Sequence, residues 1–331
     1  MEEWIVLFKM TRKKMLIFTA ITLIGVSALL GGCGSKQSNT QTGTSSGTTT
    51  QNTEKSGEKV IGVSLLTREH VFYNLIEKAI QEKAQGYKFK PIIMDASQDS
   101  NKQLAQVQDF ITQKVDAIVL APTASAGIAP AVDLAKKAGI PVFTIDIKAE
   151  GDVKSHVATD NYAGGKLAAK YAAEKVLNGK GKVAIITYSE VQSCVDREKG
   201  FKDALAEYPN IKVVDVENCS GSAEKAANLT QDILLKFPDL DLIFAVGDPF
   251  AVGAVSTIKA AGRNVKVIGF DGNPEAIQEI KNHGLWVADV VQHPDQIGGK
   301  VIDLIADYFN GKSVPPQVLI PPTIVDASNA K

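Results

Sequence analysis

From Lys59 onward the sequence lacks the short motifs that most enzymes of this length carry. No GxGxxG follows a strand-like run and no GxxxxGK[ST] occurs, so both glycine-rich phosphate cradles are missing. An ATPase or a dinucleotide-dependent dehydrogenase is disfavoured, and no cofactor is expected. The four histidines, His70, His156, His283 and His293, show no HExxH spacing and no CxxC is present, so nothing points to a metal. The body also lacks a GxSxG nucleophile elbow. Net positive charge is absent: 36 Lys and Arg stand against 37 Asp and Glu. Without a basic field to hold phosphates, nucleic acid is not an expected partner.

What is present begins with an export pattern. Lys9, Arg12, Lys13 and Lys14 precede a 16-residue apolar run, Met15 to Leu30, then Gly31, Gly32 and Cys33. This is the layout of a secretory signal peptide over residues 1–32, its apolar core short for a membrane span. LGGC at Leu30 to Cys33 resembles the bacterial lipoprotein cleavage box, in which the cysteine is lipidated. An uncleaved anchor helix is the alternative, and Met10 is a second candidate start. Residues 34–58 contain 21 Gly, Ser, Thr, Gln or Asn among 25 and nothing aliphatic or aromatic, so residues 33–58 read as a flexible tether. The body is expected on the outer face of a bacterial cytoplasmic membrane, held by lipid at Cys33.

The 331 residues are 44% hydrophobic, enough for one large or two ordinary cores. Short apolar runs alternate with helical segments: KVIGVSLL, KPIIMDA, AIVLAP and PVFTID in the first half; KVAIITYS, IKVVDVEN, LIFAVGD, KVIGFDG and WVADVVQ after about residue 160. Near-continuous apolar strands alternating with helices imply α/β architecture with parallel sheets covered on both faces, here two doubly wound lobes. In VFYNLIEKAIQEKA the residues Phe72, Leu75, Ile76, Ala79 and Ile80 recur at helical spacing. Ligands of such sheets bind beyond the carboxyl ends of strands, where Asp146, Asp248 and Asp271 stand. Each is read as a cleft acceptor or as a helix cap, with the two evenly balanced for Asp248. Cys194 and Cys219 either pair or remain as buried thiols.

IGVSLL followed by VFYNLIEKA, QVQDFITQKVDAIVLAPT, GIPVFTID, SHVATDNYAGGKLAA, DREKGFKDAL, VIGFDGNPEAIQEI and VVQHPDQIGGK, in this order, resemble the ribose-type sugar-binding proteins of bacterial ABC transporters. The resemblance covers Lys59 to about Asp326 and implies the type I periplasmic-binding-protein fold. Its two lobes, 59–159 plus 293–320 and 160–292 plus 321–331, are joined by three crossing strands near Thr159, Gln292 and Pro321. It further implies a monomeric, non-enzymatic protein that encloses a carbohydrate and hands it to an ABC permease and its ATPase. A sensory adaptor for a membrane receptor or kinase is the alternative, and a secreted sugar-modifying enzyme a third.

By the same resemblance the ligand-binding set is His70, Phe72, Tyr73, Asp146, Arg197, Asp248, Asp271 and Gln292. Phe72 and Tyr73 match rings that stack on a sugar, although Phe72 also fits helix core; the carboxylates accept hydroxyl protons; Gln292 gives a donor and an acceptor. Departures are Ile147 where ribose binders carry Arg, Val195 at a second Arg position with Arg197 two residues on as its substitute or as a structural residue, Gly247 for Asn, Gly221 at about the position of a second-lobe aromatic, and His70 for Asn. Fewer forked donors and smaller side chains imply a hexose, a cyclitol or a short oligosaccharide in place of ribose.

Overall fold

The structure is a computed structural model that describes residues 57–331. The signal segment, Cys33 and nearly all of the tether lie outside the described residues.

The first half alternates β1 (Lys59–Leu65), α1 (Val71–Tyr87), β2 (Phe89–Asp95), α2 (Ser100–Thr112), β3 (Ala117–Leu120), α3 (Ala129–Lys137), β4 (Val142–Ile145) and β5 (Val153–Thr159). The second contains α4 (Asn161–Tyr171), β6 (Gly181–Thr187), α5 (Gln192–Leu205), β7 (Ile211–Asn218), α6 (Ala223–Lys236), β8 (Leu242–Ala245), α7 (Asp248–Ala260), β9 (Lys266–Asp271), α8 (Pro274–Lys281) and β10 (Trp286–Val291). The chain closes with α9 (Pro294–Phe309), β11 (Gln317–Ile320) and β12 (Thr323–Asp326).

Among the described residues these strands form two six-stranded sheets, ordered β11-β5-β4-β3-β1-β2 and β12-β10-β9-β8-β6-β7. All pairs in the first are parallel. The second departs from the expected parallel lobe at one edge, where β12 runs antiparallel to β10 with Asp289 opposite Val325.

Buried runs such as Ile118 to Ala121 and Leu242 to Val246 follow from covering both sheet faces with helices. On α1 the inward stripe is Phe72, Tyr73, Ile76, Ile80 and Ala84, while Leu75, expected on that stripe, is 47% exposed. The stripe packs with α9 onto one face of the first sheet, and α2 and α3 cover the other. Between α4 and α5 the backbones touch: a Cβ at Gly165 would lie 2.0 Å from the Arg197 carbonyl oxygen, and one at Gly200 would lie 2.1 Å from that of Tyr162. Only glycine permits this approach.

Among the described residues the chain passes between the sheets three times: from β5 into α4, from β10 through Gln292 into α9, and from β11 to β12 through Pro321 and Pro322. Two of these passages are tied together, since the Thr159 hydroxyl donates to Oε1 of Gln292 at 2.6 Å.

Candidate ligand-binding site

Asp146 follows β4 directly and Asp271 ends β9, each on the strand end facing the other lobe. Both adopt positive φ, 60° and 138°. A non-glycine residue so held costs on the order of 1–3 kcal/mol and persists where the surroundings impose it. The two line one cavity of about 540 Å³ between the lobes, within the usual range for small-molecule sites. All eight residues expected in a site reach that cavity.

His70 is the N-cap of α1. Its Nδ1 accepts the Phe72 backbone N–H at 3.1 Å, which in the neutral ring leaves the proton on Nε2, 3.2 Å from Oδ2 of Asp271. The cap therefore also bridges the lobes. Phe72 and Tyr73 are nearly buried, with ring centroids 5.3 Å apart in an edge-to-face pair. Both belong to the first-lobe core and line the cavity, so the two readings of Phe72 are compatible.

The Tyr73 hydroxyl donates to Oδ2 of Asp146 at 2.6 Å, and Oδ1 of Asp146 has no partner. Burial raises the Asp146 carboxyl above its ordinary value, against the opposing pull of Arg197 and the Tyr73 hydrogen bond. Burial and the same carboxylate push the Tyr73 phenol well up, so it remains a donor.

Asp271 is the more fully engaged carboxylate. Oδ1 accepts from Gln292 Nε2 at 2.6 Å and Arg197 Nη1 at 3.2 Å; Oδ2 faces His70 and accepts the Asp248 backbone N–H at 3.2 Å. Burial alone would raise it, but the His70 hydrogen bond and the Arg197 charge outweigh that and hold it below its ordinary value. Arg197 lies over the Phe270 ring at 3.8 Å and donates to Asn161 Oδ1 and the Val246 carbonyl. Burial disfavours its charge, yet Asp271 and the neighbouring groups keep it fully protonated.

The structure refines three of the expected positions. Val195 is half-buried and does not line the cavity; the arginine of this wall is Arg197 itself. Asp248 is not the cap of α7, which is Gly247; its Oδ2 instead accepts the Asn273 backbone N–H at 2.7 Å. An aromatic ring of the second lobe that the sequence did not single out, Tyr188, fills the space beside Gly221, where a Cβ would lie 3.1 Å from it. Tyr188 packs edge-on against Phe250. It comes just after the end of β6, as Asp146 does after β4, and that strand-end placement was the available sequence clue. Ile147 is 2% exposed and joins the apolar cluster of the second lobe, on the same cavity wall as Val191 and Cys194. Cys194 and Cys219 are free thiols.

Two lobes with mostly parallel sheets, three interlobe passages and a polar, ring-lined cavity between them define a two-lobed binding protein. The chain belongs to the periplasmic binding protein family: residues 61–313 match the periplasmic binding protein domain. The ribose import binding protein RbsB of Bacillus subtilis (strain 168) is 34% identical over 271 residues, 82% of this chain and 88% of that protein. An ABC transporter solute-binding protein of Mycobacterium smegmatis with bound glycerol is similar in structure, with a TM-score of 0.78 at 34% identity, covering 83% of this chain and 96% of that one. A periplasmic solute-binding protein of Actinobacillus succinogenes with bound D-allose gives a TM-score of 0.77 at 30% identity, covering 82% and 99%.

Proposed function

We propose that this protein captures a carbohydrate between its lobes, outside the cytoplasm, and delivers it to an ABC importer. The observation that carries the reading is the buried, unpartnered Oδ1 of Asp146 on a cavity that also presents Arg197 and the rings of Phe72, Tyr73 and Tyr188. A buried acceptor without a partner costs about 1–3 kcal/mol, and a sugar hydroxyl removes that cost. Aromatic faces suit the C–H faces of a pyranose. Relatives that bind ribose and D-allose support a monosaccharide-sized ligand. The apolar Ile147 where ribose binders are expected to carry arginine favours a hexose, a cyclitol or a short oligosaccharide.

In this reading the lobes are 59–159 with 293–320 and 160–292 with 321–331, and the binding set is His70, Phe72, Tyr73, Asp146, Arg197, Asp248, Asp271 and Gln292. Most of these touch the ligand; Asp248 acts from beneath. The lobes already meet through His70 and Asp271, so a ligand favours closure only by what it adds beyond that contact. The protein works as a lipid-anchored monomer on the outer face of the membrane, tethered through Cys33, and the importer's ATPase supplies the energy.

Calorimetric titration of wild type and Asp146→Asn with a sugar panel tests the reading. Saturable binding in wild type, weakened about tenfold or more in the variant, is expected. No heat with any sugar, or equal affinity in both proteins, overturns it.

A further inference from the structure

Beneath Asp271 lies a second pair of carboxyls that sugar contact does not explain. Asp289, on β10, is completely buried; its Oδ1 accepts the Gly272 backbone N–H at 2.8 Å and its Oδ2 accepts the Trp286 indole N–H at 3.0 Å. Asp248, at the start of α7, is 1% exposed and holds the Asn273 backbone N–H through Oδ2. Its Oδ1 has no ordinary donor. That atom and Oδ2 of Asp289 crowd one point above Gly269, where a Cβ would lie 2.8 Å from the first and 2.3 Å from the second. Two buried carboxyl oxygens brought this close, one of them without a donor, are relieved by a proton held between them. Together they grip both backbone N–H groups of the turn after Asp271, a turn already strained by the positive φ of Asp271.

We propose that Asp248 and Asp289 share one proton, that this proton positions the 271–273 turn and so aims Asp271 into the cleft, and that its loss at alkaline pH weakens ligand binding. The second half of the proposal rests on the carbohydrate-binding reading above. Two adjacent buried anions repel each other and, across the Asp248 backbone N–H, also repel Asp271. The other ionisable groups facing this cluster are Arg197 on α5 and His70 at the start of α1, both paired to Asp271, with Asp146 beyond them. Burial raises both carboxyls; the Asp271 charge helps take Asp289 to about 7, and the charges of Asp289 and Asp271 push Asp248 well above its ordinary value. Asp248 and Asp289 are positioning residues; neither needs to touch the sugar.

Trp286 is the one tryptophan of the body, since the other, Trp4, precedes the tether, so its emission reports the pair without any ligand. A pH titration of wild type is expected to show a Trp286 transition that Asp289→Asn abolishes. In parallel, exchange of the Gly272 and Asn273 amides is expected to accelerate beyond base catalysis at alkaline pH. Asp248→Asn places a permanent N–H donor where the shared proton sits. With D-allose and D-ribose as probes, wild-type affinity is expected to fall about tenfold or more toward alkaline pH, and that ratio is expected to shrink to near one in Asp248→Asn. Asp289→Asn serves as the second variant if Asp248→Asn does not fold. A Trp286 signal that does not titrate, or an alkaline loss of affinity that persists in both variants, overturns the proposal. Should neither sugar bind, the carbohydrate reading is what fails, and the emission and amide-exchange measurements still decide the pair.

Discussion

The Tyr73 phenol and the Asp146 carboxylate are joined by a 2.6 Å hydrogen bond inside the first lobe, leaving Oδ1 of Asp146 as a buried acceptor without a partner. Removing the hydroxyl in Tyr73→Phe leaves both carboxylate oxygens unpaired. The variant is expected to lose about 1–3 kcal/mol of stability and to bind sugar more weakly, with the Asp146 carboxyl driven further upward. Urea unfolding with and without ligand measures both effects; unchanged stability and affinity would show that the pair holds nothing in place.

Arg197 reaches the cavity only because α4 and α5 touch at glycines. In Gly165→Ala the new methyl meets the Arg197 carbonyl oxygen at 2.0 Å, so α5 must move. A destabilisation of about 1–3 kcal/mol and a loss of affinity are expected, although residue 165 lies outside the cavity. Differential scanning calorimetry and ligand titration read the two; an affinity equal to wild type would break the link between this helix contact and Arg197.

The thiols are expected to be inert. Burial, above all, pushes Cys194 up to about 12 and Cys219 to about 11, far from the thiolate that alkylates. Native protein should take up no maleimide at neutral pH over minutes, and two equivalents in denaturant when the body is used. Rapid labelling of the native fold would contradict the placement of both side chains.

His156 makes stability depend on acid. Burial, with a smaller push from Lys148, lowers its value from 6.5 to about 4, and a hydrogen bond to the Thr144 backbone only partly opposes this. The unfolded chain protonates the ring near 6.5 and the fold does so only near 4, so its contribution is complete above that window and is lost as pH falls through it. Compared with His156→Gln, wild type is expected to lose up to roughly 3 kcal/mol between about pH 7 and pH 4. Denaturant midpoints at the two ends measure this; a parallel pH dependence in both proteins would show a ring that titrates normally.

Much of the architecture was legible because its cause is local. Covering a sheet on both faces demands apolar runs such as Phe143 to Ile145 and Leu242 to Val246, and these stand out in any window. Asp146 and Asp271 were visible for the opposite reason, as charges closing such runs. β5, β11 and β12 were less so, since VKSHVAT, QVLI and TIVD are short or polar and owe their pairing to neighbours distant in sequence. Leu75 fitted the period of α1 yet lies on its outer edge, because periodicity gives a stripe but not its width. Tyr188, Asp289 and the pairing of Asp289 with Asp248 depend on which strand ends meet across a glycine. No spacing records that Gly221 makes room for a ring or that Gly269 makes room for two carboxyls.

A carbohydrate larger than ribose is expected to occupy the cleft, and isothermal titration of the purified body with D-ribose, D-allose, D-glucose and myo-inositol tests this most directly. A hexose or the cyclitol is expected to bind at micromolar Kd or tighter and D-ribose at least about tenfold more weakly, given the apolar Ile147 beside Asp146. D-ribose as the tightest ligand, or no binding by any of the four, would contradict it.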